Sequence, residues 1–286
     1  MRKRRVEVGG AELLVREWEA DGPPVLFWHA LGDHSSLQMS EAAPVLSRWF
    51  GYRVLGVDAP GFGGSQRLPD ERYSIPALVE LADELVGALD VDRPAWSGSS
   101  WGAIVGLHVA AAHPERLAAL QLLDGGYLHS TYGKTLEELK EHWRGQEGFR
   151  YETWEHLFEE ARGYFGRWSP GLEAYVRGSF REEDGAVVSI MGTDVYAAAI
   201  HGVEQSPPWE SLRRLGESGL PVLLLAADEV PPELEERRAA GLERFAQLVP
   251  QADVRVVPGA PHFLLESRPS EVARMMGGWL QARGYA

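Results

Sequence analysis

Six short apolar runs, bounded by turn-forming residues and mostly separated by helix-length patterns, constrain this chain of 286 residues more than any other feature. They lie at about 25–28, 53–57, 95–97, 117–123, 221–227 and 254–257, and helical patterns fall at about 41–50, 76–89, 101–113, 232–249 and 269–283. Runs that stay apolar without alternating need cover on both faces, as parallel strands do. Strands that alternate with helices imply right-handed crossovers and a mostly parallel sheet between helical layers. Ahead of the first run, Val6-Glu7-Val8, a Gly9-Gly10 turn and residues 12–18 read as a β-hairpin.

One stretch breaks the alternation. Between about Tyr127 and Glu210 no apolar run reads as a strand, and amphipathic, aromatic-rich segments at 134–143, 153–165 and 172–180 read as helices. Four of the ten tryptophans lie here, Trp143, Trp154, Trp168 and Trp209. The expected organisation is a core of residues 1–126 and 211–286 carrying a helical cap insertion at 127–210, its aromatic residues shared between the cap's own core and a pocket. In that cap Glu155, Glu159 and Glu160 read as a solvated helix face.

Composition narrows the partners. With 44% hydrophobic and 24% charged residues the chain falls among ordinary globular proteins, and a net charge of −14 argues against nucleic acid or an anionic membrane as partner. The absence of cysteine excludes disulfides, thiolate metal sites, iron–sulfur clusters and a cysteine nucleophile. The basic start Met1-Arg2-Lys3-Arg4-Arg5 runs into Val6-Glu7-Val8 with no apolar stretch behind it, so it is not read as a signal peptide, and no run is long enough to span a membrane. A soluble cytoplasmic protein is expected.

Gly98-Ser99-Ser100-Trp101-Gly102 follows a strand and opens a helix, the context in which G-x-S-x-G forms a nucleophile turn. Ser99 is a second hydroxyl, but only Ser100 stands at the required offsets between the glycines. A serine hydroxyl needs a general base, and His262 lies in the loop that leaves the last strand, at the sheet end where such folds build their sites. His108 and His113, five apart on one helix, do not share a face, and no metal site is read.

Two further loops complete a pattern. His29-Ala30-Leu31-Gly32 follows the third strand, and Asp58-Ala59-Pro60-Gly61-Phe62-Gly63-Gly64-Ser65 follows the next. With the serine turn and the segment Gly259 to Glu266, these make the chain resemble the α/β-hydrolase fold family over nearly its whole length outside the insertion. The resemblance implies an eight-stranded, mostly parallel sheet with helices on both faces. It also implies acyl transfer through a Ser–His–acid triad without cofactor or metal, on a small-molecule ester or lactone. The oxyanion hole would be the backbone N–H groups of Trp101 and Leu31, the latter in a loop where Ala30 replaces the family's usual glycine. His29 is read as structural, and Asp33-His34 as a helix cap.

The acid divides the reading. Most relatives place it after the seventh core strand, where Asp228 and Glu229 stand, Glu229 at the better offset. Pro231-Pro232 shorten that loop, whereas Asp124 ends the sixth strand beside a flexible Gly125-Gly126. Asp124 is therefore the expected acid, with Glu229 and then Asp228 as alternatives. Rival functions are a peptidase resembling proline iminopeptidases, a cofactor-free perhydrolase, a C–C hydrolase, and a non-catalytic small-molecule binder of the same fold. Epoxide hydrolases and haloalkane dehalogenases of the family use an Asp nucleophile, which Ser100 argues against.

Overall fold

Gly9-Gly10 closes the first hairpin, in which β1 (Arg2–Val8) pairs antiparallel with β2 (Ala11–Trp18) and Val8 faces Ala11. The strand is longer than Val6-Glu7-Val8 suggests, because the basic start is itself part of it. As β1 lies at the sheet edge, its Arg and Lys side chains reach solvent and discourage pairing with another chain. The computed structural model describes residues 1–32, 34–129, 131–144, 146 and 148–285.

The chain continues through β3 (Pro24–Trp28), α1 (Ala43–Phe50), β4 (Arg53–Val57), α2 (Ile75–Ala88), β5 (Ala95–Ser99), α3 (Trp101–Ala112) and β6 (Ala119–Leu123). After the insertion come α8 (Trp209–Ser218), β10 (Val222–Ala227), α9 (Pro232–Leu248), β11 (Asp253–Val257), α10 (Leu264–Ser267) and α11 (Pro269–Gln281). Among the described residues eight strands form one sheet in the order β1-β2-β4-β3-β5-β6-β10-β11, parallel from β4 to β11. This is the fold class read from the alternation. Period-2 geometry sends Val222 and Leu224 of β10 into the core on one face, and Leu223 and Leu225 into the core on the other. Helices α2, α3 and α8 cover the first face and α1 and α11 the second. His108 sits 2.8 Å from Ser211 Oγ and ties α3 to α8. Among the described residues no helix is long and apolar enough to cross a membrane.

The segment between β6 and α8 corrects the all-helical expectation. It holds α4 (Leu136–Arg144), α5 (Trp154–Phe165), α6 (Pro170–Ser179) and α7 (Gly192–Glu204), but also a small sheet of β7 (Arg150–Tyr151), β8 (Phe180–Glu183) and β9 (Ala186–Ser189). The hairpin turns at Asp184-Gly185, with φ of 50° and 72°. An Asp-Gly pair is a strong short-range hairpin signal, but here the strand before it is charged, Arg181-Glu182-Glu183, and the apolar Ala186-Val187-Val188 after it is only three residues long. Phe180, assigned from sequence to the end of a helix, instead begins β8.

Candidate active site

β5 ends at Ser99 and α3 begins at Trp101, so Ser100 alone makes the turn, with φ 49° and ψ −106°. Such a backbone costs a side-chain-bearing residue about 1–3 kcal/mol and persists only where packing over-determines it. That packing is close: a Cβ on Gly98 would lie 2.1 Å from the Gly102 carbonyl oxygen, and one on Gly102 2.1 Å from that of Trp28. The Ser100 N–H donates to the Leu123 carbonyl at 2.8 Å, which ties the turn to the end of β6.

Asp124 follows directly on β6 with φ 47°, and its N–H donates to Leu225 of β10 at 2.8 Å. The next residue must be small, because a Cβ on Gly125 would meet the Ser100 carbonyl oxygen at 2.3 Å. The buried Asp124 carboxylate accepts from Tyr127 Oη–H (2.7 Å) and the Ala227 N–H (3.0 Å) on Oδ1, and its Oδ2 lies 2.6 Å from His262 Nδ1. On the other side of the ring His262 Nε2 is 3.0 Å from Ser100 Oγ. An acceptor-only carboxylate at Nδ1 fixes the proton there and leaves the Nε2 lone pair facing the serine. Burial is the strongest single influence on both groups and disfavours their charged forms, but the others together outweigh it: His262, the Ala227 N–H and Tyr127 hold Asp124 below the ordinary carboxylate value, and Asp124 with Glu266 holds His262 above the ordinary imidazole value.

The competing carboxylates lie elsewhere. Asp228 and Glu229 are exposed, their N–H groups donate to the Ala260 carbonyl at 2.9 and 3.0 Å, and Asp228 Oδ2 accepts from the Gly259 N–H at 2.8 Å. They fasten the loop after β10 to the loop after β11 without reaching His262.

Trp101 occupies the first helical position, where its N–H has no intrahelical acceptor, and it lines a cavity with Ser100, Leu31 and His262. Ala30 does not need the glycine it replaces: positive φ in this loop falls on Gly32, at 111°. His29 is buried, with Nδ1 at 2.7 Å from the Ala30 carbonyl and Nε2 accepting from the Ala59 N–H at 3.0 Å. Burial lowers it to about 4, so it is a neutral strut between two loops. Asp58 is likewise internal: Arg16, Ser36 and the Gly64 N–H all bind it, and they keep it below the usual carboxylate value although burial alone would raise it.

The cavity measures about 620 Å³, within the range of small-ligand sites. Its outer wall comes from the insertion through tyrosines and phenylalanines, including Tyr151, Phe165, Tyr175, Phe180 and Tyr196. None of the insertion's four tryptophans lines it. Trp143 packs edge-on against Tyr196 at 4.7 Å, Trp154 donates to Glu182 at 2.7 Å, and Trp168 and Trp209 lie under Arg162 and Arg244. Two smaller readings change. Glu160 lines the cavity instead of standing with Glu155 as a merely solvated face. Of Asp33-His34, Asp33 lies outside the described residues and His34 is no cap: Ser35 caps the next turn, while His34 is buried against the cavity between the rings of Tyr175 and Phe263.

Tyr127 and Gln38 were not found from sequence. Tyr127 follows Asp124 by three residues, a spacing with no motif behind it. Gln38 contacts segments 61 and 228 residues away, which no local pattern encodes.

A model of the α/β hydrolase fold family matches residues 23–269. A haloalkane dehalogenase of Mycobacterium marinum is 32% identical over 124 residues, 42% of this chain and 40% of that protein, so the chain spans about two fifths of that relative's length. A 2-(acetamidomethylene)succinate hydrolase of Mesorhizobium japonicum is 25% identical over 291 residues, covering 98% of this chain and 95% of the relative. In fold the chain is also similar to the crystal structure of E-2-(acetamidomethylene)succinate hydrolase, with a TM-score of 0.79 at 22% identity over 98% of this chain and 99% of that one.

Proposed function

The chain belongs to the α/β-hydrolase fold family, and we propose that it is a serine hydrolase that cleaves carboxylic esters or lactones with a neutral, apolar acyl group. The observation that carries this reading is the continuous line Ser100 Oγ, His262, Asp124, with separations of 3.0 and 2.6 Å, opening on the cavity. Ser100 Oγ attacks the carbonyl carbon while His262 Nε2 takes the hydroxyl proton. The oxyanion settles between the N–H groups of Trp101 and Leu31. His262 then returns the proton to the leaving alcohol, and Asp124 stabilises the imidazolium between these steps. Water repeats the sequence on the acyl-enzyme, and each step is served by these side chains and amides.

Chemistry separates this reading from the dehalogenase name. Attack by a serine on a haloalkane leaves an ether, which offers water no carbonyl carbon, whereas an aspartate leaves an ester that water can open. The acyl preference rests on the lining. Among the described residues the cavity wall carries no Lys or Arg, and none of Asp33, Ser130, Gly145, Glu147 and Ala286 is basic. A substituted succinate, the substrate that the Mesorhizobium relative's name states, would find no cation here. A second reading, cleavage next to a free amine as in a peptidase, is favoured by Glu160 and Glu204 in the same wall.

A fluorophosphonate probe should label the wild type and leave Ser100→Ala unlabelled. In a panel of p-nitrophenyl esters, lactones and aminoacyl anilides, neutral apolar esters should give the highest kcat/KM and carboxylate-ended acyl groups the lowest. Fastest turnover of the anilides would establish the second reading, and an unlabelled wild type would remove the serine hydrolase altogether.

A further inference from the structure

Gln38 sits on the 3-10 turn Ser36–Met39, is buried, and does not line the cavity, yet its side-chain amide reaches three segments that carry the site. Its Oε1 accepts from the Ala30 N–H at 3.0 Å, next to the Leu31 amide. Its Nε2 donates to Ser99 Oγ at 3.3 Å, next to the nucleophile, and to Glu266 Oε1 at 2.8 Å, on the short helix that follows His262. The orientation of this amide is forced. The Ala30 N–H can only donate, so the carbonyl end must face it, and the NH₂ end then needs acceptors, which Ser99 and Glu266 supply.

Glu266 is an unusual residue to find there. It is 1% exposed, its Oε2 has no partner, and burial pushes its carboxyl up to about 7 against the pull of Gln38, His262 and Arg167. A buried carboxyl is costly where an aliphatic side chain would fill the space, so packing alone does not account for it. What Glu266 supplies is an acceptor that holds the Gln38 amide one way round. Its own position is fixed from the insertion side: Arg167 donates to the Glu266 carbonyl through Nη1 and to Glu41 through Nη2, the latter at 2.7 Å.

We propose that Gln38 and Glu266 form a positioning pair that sets the Leu31 oxyanion donor relative to Ser100. The pair touches neither the reacting carbonyl nor the catalytic proton; it works by holding the loop after β3, the end of β5 and the start of α10 in one register. A donor acts on an oxyanion only when placed within a few tenths of an ångström, so a loop freed at Ala30 loses transition-state binding while substrate binding in the apolar cavity is unaffected. This role rests on the serine-hydrolase reading.

The test compares Gln38→Leu, Glu266→Leu and Glu266→Gln by kcat, KM and melting temperature on one neutral p-nitrophenyl ester and its thionoester, whose sulfur makes weaker hydrogen bonds in an oxyanion hole. Gln38→Leu should lower kcat on the ester by about 10²–10³-fold with KM nearly unchanged, and should lower the ester-to-thionoester rate ratio by about tenfold or more. Glu266→Leu should behave alike, the double variant should be no worse than either, and Glu266→Gln, which can still present a carbonyl oxygen to Gln38, should restore most of the lost rate. Equal losses on ester and thionoester would mean a purely structural role and overturn the proposal, as would a Glu266→Gln variant as slow as Glu266→Leu. Should Gln38→Leu fail to fold, the two Glu266 variants decide by the same ratio. Failure of the pair alone appears as a labelled, active wild type with variants of unchanged ester-to-thionoester ratio, whereas failure of the serine reading appears as a wild type that neither labels nor turns over.

Discussion

Two regions face each other across the cavity and are held by different forces. On the sheet side, Ser100 and Asp124 stand on strand ends whose backbone bonds run from β5 to β6 to β10, with apolar side chains buried on both faces. On the insertion side, the main apolar cluster is small, centred on Leu157, Phe158, Leu172, Tyr175 and Phe180. Its ion pairs, such as Arg162–Glu155, Arg177–Glu173 and Arg181–Glu183, are open to solvent, where each contributes about 0–1 kcal/mol. The contrast teaches that Ser100 and Asp124 are placed by the sheet, while the cavity wall opposite them rests on a smaller core and should be the more deformable part.

The largest effects should come from the sheet side. Ser100→Ala and His262→Ala should each lower kcat by about 10⁴-fold or more, and the double variant should be barely worse, because the residues act as one unit. Near-normal esterase activity in Ser100→Ala would break the comparison at its root. Next, Asp124→Asn keeps an oxygen for Tyr127 and Ala227 but turns an NH₂ toward His262. It should cost about 10⁴-fold in kcat, the loss known for an aspartate-to-asparagine change in the serine protease triad, while Glu229→Gln and Asp228→Asn cost less than about tenfold. The reverse ranking would move the acid to the loop after β10.

The same pair has a pH signature. The base must be neutral, so kcat/KM should rise with pH through a value above the ordinary 6.5 of imidazole, and Asp124→Asn should move that limb down because only the weaker pull of Glu266 then opposes burial. In stability terms the raised His262 contributes below its unfolded value and its contribution is lost as pH rises through the folded one. The lowered Asp124 contributes above its unfolded value and is lost as pH falls through the folded one. A limb that stays in place in Asp124→Asn would separate the aspartate from the base.

Smaller effects should distinguish the two regions by stability and by selectivity. Leu224→Ala removes a side chain buried in the sheet and should cost about 2–5 kcal/mol of global stability in denaturant titration. Leu172→Ala in the insertion should instead speed local amide exchange around α5 and α6, leaving the β5 and β6 amides protected. Equal loss of protection in both places would show one cooperative unit. Last, Phe165→Ala and Tyr196→Ala should change the order of preferred esters, whereas Trp154→Ala, whose ring does not reach the cavity, should lower the melting temperature and leave the order intact. An unchanged order across all the lining rings would take selectivity away from the insertion.

The readable parts of the chain were those whose signal is local. Uninterrupted apolar runs give parallel strands because both faces must be covered, and the Gly-x-Ser-x-Gly spacing describes one turn of backbone. The β8–β9 hairpin was also locally encoded, in Asp184-Gly185, but its first strand, Arg181-Glu182-Glu183, is charged and exposed, and its buried partner Ala186-Val187-Val188 is too short to stand out as an apolar run. His34 shows the opposite limit. A histidine beside a turn resembles a cap until its ring is seen between Tyr175 and Phe263, one from the insertion and one from the loop of His262.

By itself, then, the sequence determined the sheet, the strained turn at Ser100, and a histidine and an acid at the ends of other strands, because strand period, glycine spacing and chain order are properties of neighbouring residues. Only the tertiary structure decided which carboxylate meets His262. Asp124 and Asp228 both follow parallel strands, and the difference lies in where each strand end points: Asp124 is pressed against the Ser100 turn through Gly125, while Asp228 is drawn to Gly259. The Gln38 amide and the tyrosines of the cavity wall were decided in the same way, since hydrogen bonds and packing between residues far apart in the chain depend on distances that no local pattern contains.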